Sequence, residues 1–95
     1  MRIDLIVCPE HIEDKLESDH HVKVQEARQV LLSKPRIRFA EKGHIEGDDV
    51  YGAFGRTYAG RYLSVFFVYK PETKTAIIIS ARDMNDKERK AYGRK

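Results

Sequence analysis

Arginines placed where extended stretches end are the residues best suited to chemistry in this chain. Arg56 closes one such stretch and Arg82 another, and Lys87, Arg89 and Lys90 follow at once. Near them in sequence or type stand Arg61, the acids Glu26 and Glu88, Tyr92 and four histidines, His11, His20, His21 and His44. A guanidinium is planar and permanently charged, and its fork meets two phosphate oxygens together. Histidine, glutamate and tyrosine can pass protons. The set suits RNA cleavage without a metal. The 2′-hydroxyl attacks the adjacent phosphate, a base takes its proton, an acid protonates the leaving oxygen, and cations stabilise the charge building on the phosphoryl oxygens.

Other chemistries lack their signatures. The histidines do not form H-x-x-x-H, and there is no CxxC, Walker loop or G-x-S-x-G. No metal ligands and no cofactor are expected. Each candidate also has a plainer reading. Arg82 can pair with Glu88, and Arg56 with Asp48. His20 falls on the stripe of Ile12 and Leu16, where a histidine is commonly structural. Tyr92 shares a helical stripe with Met84, Glu88 and Ala91, which suits a packed ring. His44 lies in a polar loop and can simply be solvated, and Cys8 reads as a small packed side chain.

The elements that must position these residues can be read from periodicity. Ala76 to Ile79 is an unbroken apolar run, too short for a helix and rich in β-branched side chains, so a strand covered on both sides is expected there. Behind it, 83–92 reads as a helix, with Asn85 and Glu88 at capping-box spacing. Earlier, 2–7 reads as a strand and a helix starts near residue 10, after Pro9. The stretch 19–22 is a break. A second helix runs from about Lys23, with Val24, Ala27, Val30 and Leu31 inward, and Pro35 ends it near Ser33. In 36–41 charged and apolar residues alternate, so Arg36 and Arg38 point outward and Ile37 and Phe39 inward. Strands follow over 50–56 and 61–69, the first with glycines that suggest close backbone approach or a bulge.

This order, β-α-α-β-β-β-β-α, predicts an α+β fold: a small antiparallel sheet, its last four strands a meander, with helices covering its faces. If the 61–69 strand lies between its two chain neighbours, those neighbours run the same way. Arg56 and Arg82 then emerge at one end of the sheet, as a phosphate clamp requires.

Composition agrees with such a chain. Its 95 residues are enough for one small core, and one domain over 1–95 is expected. A 41% hydrophobic and 35% charged share fits a globular protein. No apolar run approaches a membrane span, and the N-terminus lacks a secretory layout, so a cytoplasmic protein is expected. The net charge of +3 is carried by the tail, where Arg82, Lys87, Arg89, Lys90, Arg94 and Lys95 face only Asp83, Asp86 and Glu88. A localised positive patch attracts phosphates; a solvated basic tail is the plainer alternative.

Three pieces carry a family likeness: His20-His-Val22 with Glu26-Ala27 and Val30-Leu31; Gly55-Arg56-Thr57 with Gly60-Arg-Tyr-Leu63; and Ile79-Ser-Ala-Arg-Asp-Met84 with Lys87-Glu-Arg89 and Tyr92. In this order and spacing the chain, from about residue 10 onward, resembles the BrnT toxins of bacterial and archaeal type II toxin–antitoxin pairs. The resemblance implies a fold similar to RelE-type ribonucleases and RNA cleavage needing neither metal nor ribosome. It also implies an antitoxin that folds over the toxin and represses the shared operon, hence a DNA-binding one. Arg56 and Arg82 match the family's strand-end arginines, Glu26 the acid of its second helix, His20 the histidine before that helix, and Glu88 with Arg89 the Glu-Arg pair of its last helix. Where the family commonly has Gly and then a Ser or Thr cap, this chain has His21 and Lys23, and its last helix is less densely basic.

The expected function is therefore a toxin-type endoribonuclease. Arg56 and Arg82 hold the scissile phosphate, Glu26 or a histidine such as His20 accepts the proton, and Glu88 and Tyr92 complete the catalytic set. Arg61, Arg89, Lys90 and His44 contact the RNA strand. The alternative is a non-catalytic module of the same fold that binds RNA or a partner protein through the same basic face. RNA and an antitoxin are the expected partners, and self-association into a homodimer stays open.

Overall fold

The computed structural model describes residues 1–43 and 47–93. Its elements are β1 (Leu5–Val7), α1 (Glu10–His20), α2 (Val24–Leu32), β2 (Arg36–Glu41), β3 (Val50–Arg56), β4 (Tyr62–Lys70), β5 (Thr75–Asp83) and α3 (Asp86–Gly93). The strands form one five-stranded sheet in the order β1-β5-β4-β3-β2. The fold is α+β, and β2 to β5 are the expected antiparallel meander. The short β1 makes the sheet mixed, because it lies parallel against β5. A parallel neighbour needs a long crossover, and α1 and α2 supply it.

Those two helices cover one face of the sheet, the inner face. α1 packs on β5 and α2 on β3 and β4. Their apolar stripes meet the inward residues of the strands, and Leu16, Val22, Ala27, Val30, Ala53, Leu63, Val65, Phe67, Ile78 and Ala81 form the core. Burying a large aliphatic or aromatic side chain contributes roughly 1.5–3 kcal/mol, so this face holds most of the apolar stabilisation. A Cβ on Gly55 would approach Val30 Cγ1 to 3.2 Å, which is the close backbone approach its glycine suggested.

The break between α1 and α2 is a tight reversal. His21 takes the left-handed conformation at φ 53°, ψ 39°. The amides of His21 and Val22 donate back to the carbonyls of Glu17 and Leu16. Val22 is thereby driven into the core, fully buried. Lys23 precedes α2, and its backbone N–H donates to Glu26 Oε1 at 3.0 Å. This is only half of a capping box, since lysine has no side-chain acceptor.

The outer face is covered less completely than the apolar strands suggested. α3 lies across one end of it, while Leu5, Val7 and Ile79 stay exposed. Phe39 points to the inner side but overhangs on the edge strand and is also exposed. The β4–β5 register slips between Phe66 and Phe67, which pair with Ser80 and Ile78. Ile79 is the extra residue of this bulge. Among the described residues no helix is long and apolar enough to cross a membrane.

Candidate functional site

Strand register decides which arginines can meet. Arg56 pairs with Tyr62, and Arg82 with Ser64. Tyr62 and Ser64 are two apart on β4, so all four side chains stand on one face. That face is the outer one, because Leu63 and Val65 between and beyond them are core. β4 separates β3 from β5, so both arginines arise at the same end of the sheet. The bulge at Ile79 shifts the alternation of β5 and brings Arg82 to this face. One register row crosses the sheet as Arg36, Phe54, Ser64 and Arg82.

α3 sits over that row. Asn85 and Glu88 form a full capping box: Glu88 N–H donates to Asn85 Oδ1 at 2.8 Å, and Asn85 N–H donates to Glu88 Oε1 at 2.9 Å. The Glu88 carboxylate also accepts both forks of Arg82, at 2.7 and 2.9 Å, and the hydroxyl of buried Ser64 at 2.9 Å. The Arg82 hydrogen bonds, helped by the Asn85 amide and Ser64, outweigh burial and hold the Glu88 carboxyl at a pKa of about 2. Arg82 is pushed above its usual range mainly by the same bonds, and its Cζ lies 5.3 Å from the Phe66 ring centroid. Of the two plainer ion pairs, Arg82–Glu88 is realised; Asp48 pairs instead with Lys70.

Arg56 and Arg89 share a different partner. Their Cζ atoms lie 5.0 and 3.8 Å from the centroid of the Tyr62 ring. Tyr92 meets the same ring edge-on, with centroids 5.9 Å apart and planes at 81°. Neither arginine has a carboxylate within salt-bridge distance among the described residues. Two cations against one ring repel each other and are only partly compensated by its π face. An anion near both guanidinium groups relieves that repulsion.

Glu26, His20 and Arg61 are not brought to this cluster. Arg61 precedes Tyr62 by one residue and therefore points to the other face. Its guanidinium bridges Glu26 Oε1 at 3.1 Å and Asp83 at 2.7 and 3.1 Å, and donates to the carbonyls of His20 and His21. This lowers the Asp83 carboxyl, chiefly through the Arg61 hydrogen bonds, and raises Arg61, chiefly through Asp83. Glu26, expected to accept a proton, and Arg61, expected to contact RNA, here tie the α1–α2 reversal to the end of β5. Lys90 is exposed on α3. His44 lies outside the described residues. Cys8 is partly buried, and burial, then Glu13, raises its thiol, as suits a packed residue. Among the described residues no three His, Cys, Asp or Glu side chains gather as a metal site would need.

Three participants escaped the sequence reading: Tyr62, Ser64 and Phe54. The signal was present, since Tyr62, Ser64 and Phe66 alternate along β4 and pair with Arg56, Arg82 and Ser80. It was masked because the intervening residues are apolar, so the strand reads as buried on both faces.

The model of a family described as "Ribonuclease toxin, BrnT, of type II toxin-antitoxin system" matches residues 11–88. No curated protein matches the chain. The matched span takes in α1 from its second residue, α2, the whole meander and the Asn85–Glu88 cap, including both strand-end arginines and the carboxylate that holds one of them. The chain thus belongs to the BrnT family, the ribonuclease toxins of type II toxin–antitoxin systems, a membership that implies an RNA substrate and a cognate antitoxin.

Proposed function

We propose that the chain is an endoribonuclease that cleaves RNA without a metal, using the outer-face arginines to stabilise the phosphoryl group. The observation that carries this reading is the pair Arg56 and Arg89 on Tyr62, with no carboxylate partner among the described residues, beside the preorganised Arg82. The 2′-hydroxyl gives its proton to water as its oxygen attacks phosphorus. The bond to the 5′-oxygen breaks and that oxygen takes up a proton from water, and negative charge accumulates on the phosphoryl oxygens beside the guanidinium groups. Fixed cations are worth most there, because they need no reorganisation as the charge develops. Glu88, held at about 2, is too weak a base for proton transfer near neutrality and acts by holding Arg82. Glu26 is left out of proton transfer because Arg61 and the Lys23 amide already occupy it. The working setting is the cytoplasm, and the proposed partner is a DNA-binding antitoxin that covers this face.

Arg56→Ala tests the reading, since Arg56 is exposed and makes no ion pair among the described residues. Cleavage of a single-stranded RNA should fall by about 10²-fold or more with the unfolding midpoint unchanged, and a chelator should leave the wild-type rate as it was. Unchanged cleavage in the variant overturns the role of Arg56. Salt-sensitive binding with no cleavage by the wild type points instead to the non-catalytic binding module.

A further inference from the structure

A cavity of about 310 Å³ opens between α3 and the outer face of β2 and β3, next to the arginine cluster. Its lining combines the Phe54 ring, Ala91 and Tyr92 of α3 and Arg36, which donates to the Ala91 carbonyl at 2.8 Å, with the cations Arg38 and Lys87. We infer that this cavity takes one unpaired base of the RNA, stacked against Phe54, while Arg38 and Lys87 hold its phosphate. The inference rests on the ribonuclease reading and names a substrate subsite for it.

Several observations favour a nucleotide over other occupants. The Phe54 ring is fixed, because Phe66 meets it edge-on with centroids 6.3 Å apart and planes at 88°. Gly52 keeps that floor clear, since a Cβ there would press on both rings at 3.1 and 3.2 Å. Aromatic faces accept bases of any identity, and a base removed from its stack needs such a surface. Arg38 and Lys87 make no ion pair among the described residues, so this part of the lining complements a phosphate. The cavity is continuous with the cluster, for Glu88 and Tyr92 line both. Phe54 and Arg82 stand on the same register row with only Ser64 between them. A base held here thus belongs to a nucleotide near the scissile phosphate, and its fit influences where the strand is cut.

The test uses the full chain and a fluorescent single-stranded RNA, 2′-O-methylated throughout so that it binds without being cut. A second probe carries one abasic site in place of each base in turn. Phe54→Ala should weaken the intact probe about tenfold, the loss of one stacked base. At one position, removing the base should weaken wild-type binding to the same extent and make wild type and variant equal. Ala91→Trp, which fills the cavity from exposed α3 and leaves the sheet untouched, should give the same pattern if Phe54→Ala disturbs folding. Replacing Lys87 with Ala should weaken all probes alike and reduce the salt slope by about one. Equal affinity of wild type and both cavity variants for the intact probe overturns the subsite. So does a loss that is the same on every abasic probe, or variants that lose the antitoxin but keep RNA. Failure of the wild type to bind any probe removes the underlying ribonuclease reading instead.

Discussion

Glu88 accepts four hydrogen bonds, two of them from Arg82, and this fixes how the protein responds to acid. Its folded pKa, about 2, lies below the ordinary 4.5. A depressed carboxylate lends stability that is fully present above its unfolded value and disappears as pH falls through the folded one. The contribution should therefore fade between roughly pH 4.5 and 2. Partial exposure of Arg82 screens the pair, so Glu88→Gln should cost about 1–2 kcal/mol at neutral pH. Urea titrations of wild type and variant should converge as pH approaches 2; curves that stay parallel would show that the charge contributes nothing. The pairing of Arg82 with Glu88 was legible from their spacing around the helix start. The third member, Ser64, was not, because a lone hydroxyl in an apolar strand gives no sign of which face it occupies until register is known.

Helix boundaries were largely written in local residues. Pro9, the Asn85–Glu88 spacing and Pro35 mark α1, α3 and the end of α2, and each mark acts through the backbone of its own turn. The reversal between α1 and α2 was legible as a break but not as a strained one. His21 occupies a left-handed conformation that costs a side-chain-bearing residue about 1–2 kcal/mol. His21→Gly should relieve most of this, leave the carbonyl that accepts from Arg61 in place, and raise stability by about 1 kcal/mol, or about 4–8 °C in Tm. A differential scan giving an unchanged or lower midpoint would mean that the imidazole makes a compensating contact. The pairing of β1 could not be read, because three residues carry too little pattern to choose an edge, and the choice is made by where α1 and α2 deliver the chain.

At the level of the whole molecule, the sheet separates two arginine systems by face. The outer set is rich in cations and gathers around α3. On the inner side Arg61 joins Glu26, Asp83 and two carbonyls, linking three elements that are distant in sequence. Composition placed both sets among the same eighteen bases and could not sort them; only the alternation of β4 does. Arg61→Ala should strand the half-buried Glu26 carboxylate and both carbonyls and destabilise the fold by roughly 2–3 kcal/mol. The RNA affinity of the folded variant, followed by anisotropy below its melting range, should stay within about twofold of wild type. A large loss of affinity without loss of stability would return Arg61 to the RNA-contacting set.

The unpaired isoleucine in β5 has a consequence for chain length. Without Ile79 the residues beyond it would exchange sides, and the Arg82 guanidinium would be turned into the apolar layer beneath α1. Between Ile77 and Arg82, then, this lineage can tolerate exchanges of letters far more readily than the gain or loss of a single one. An odd-numbered change there rewrites what the surface can grip even when every familiar motif residue survives.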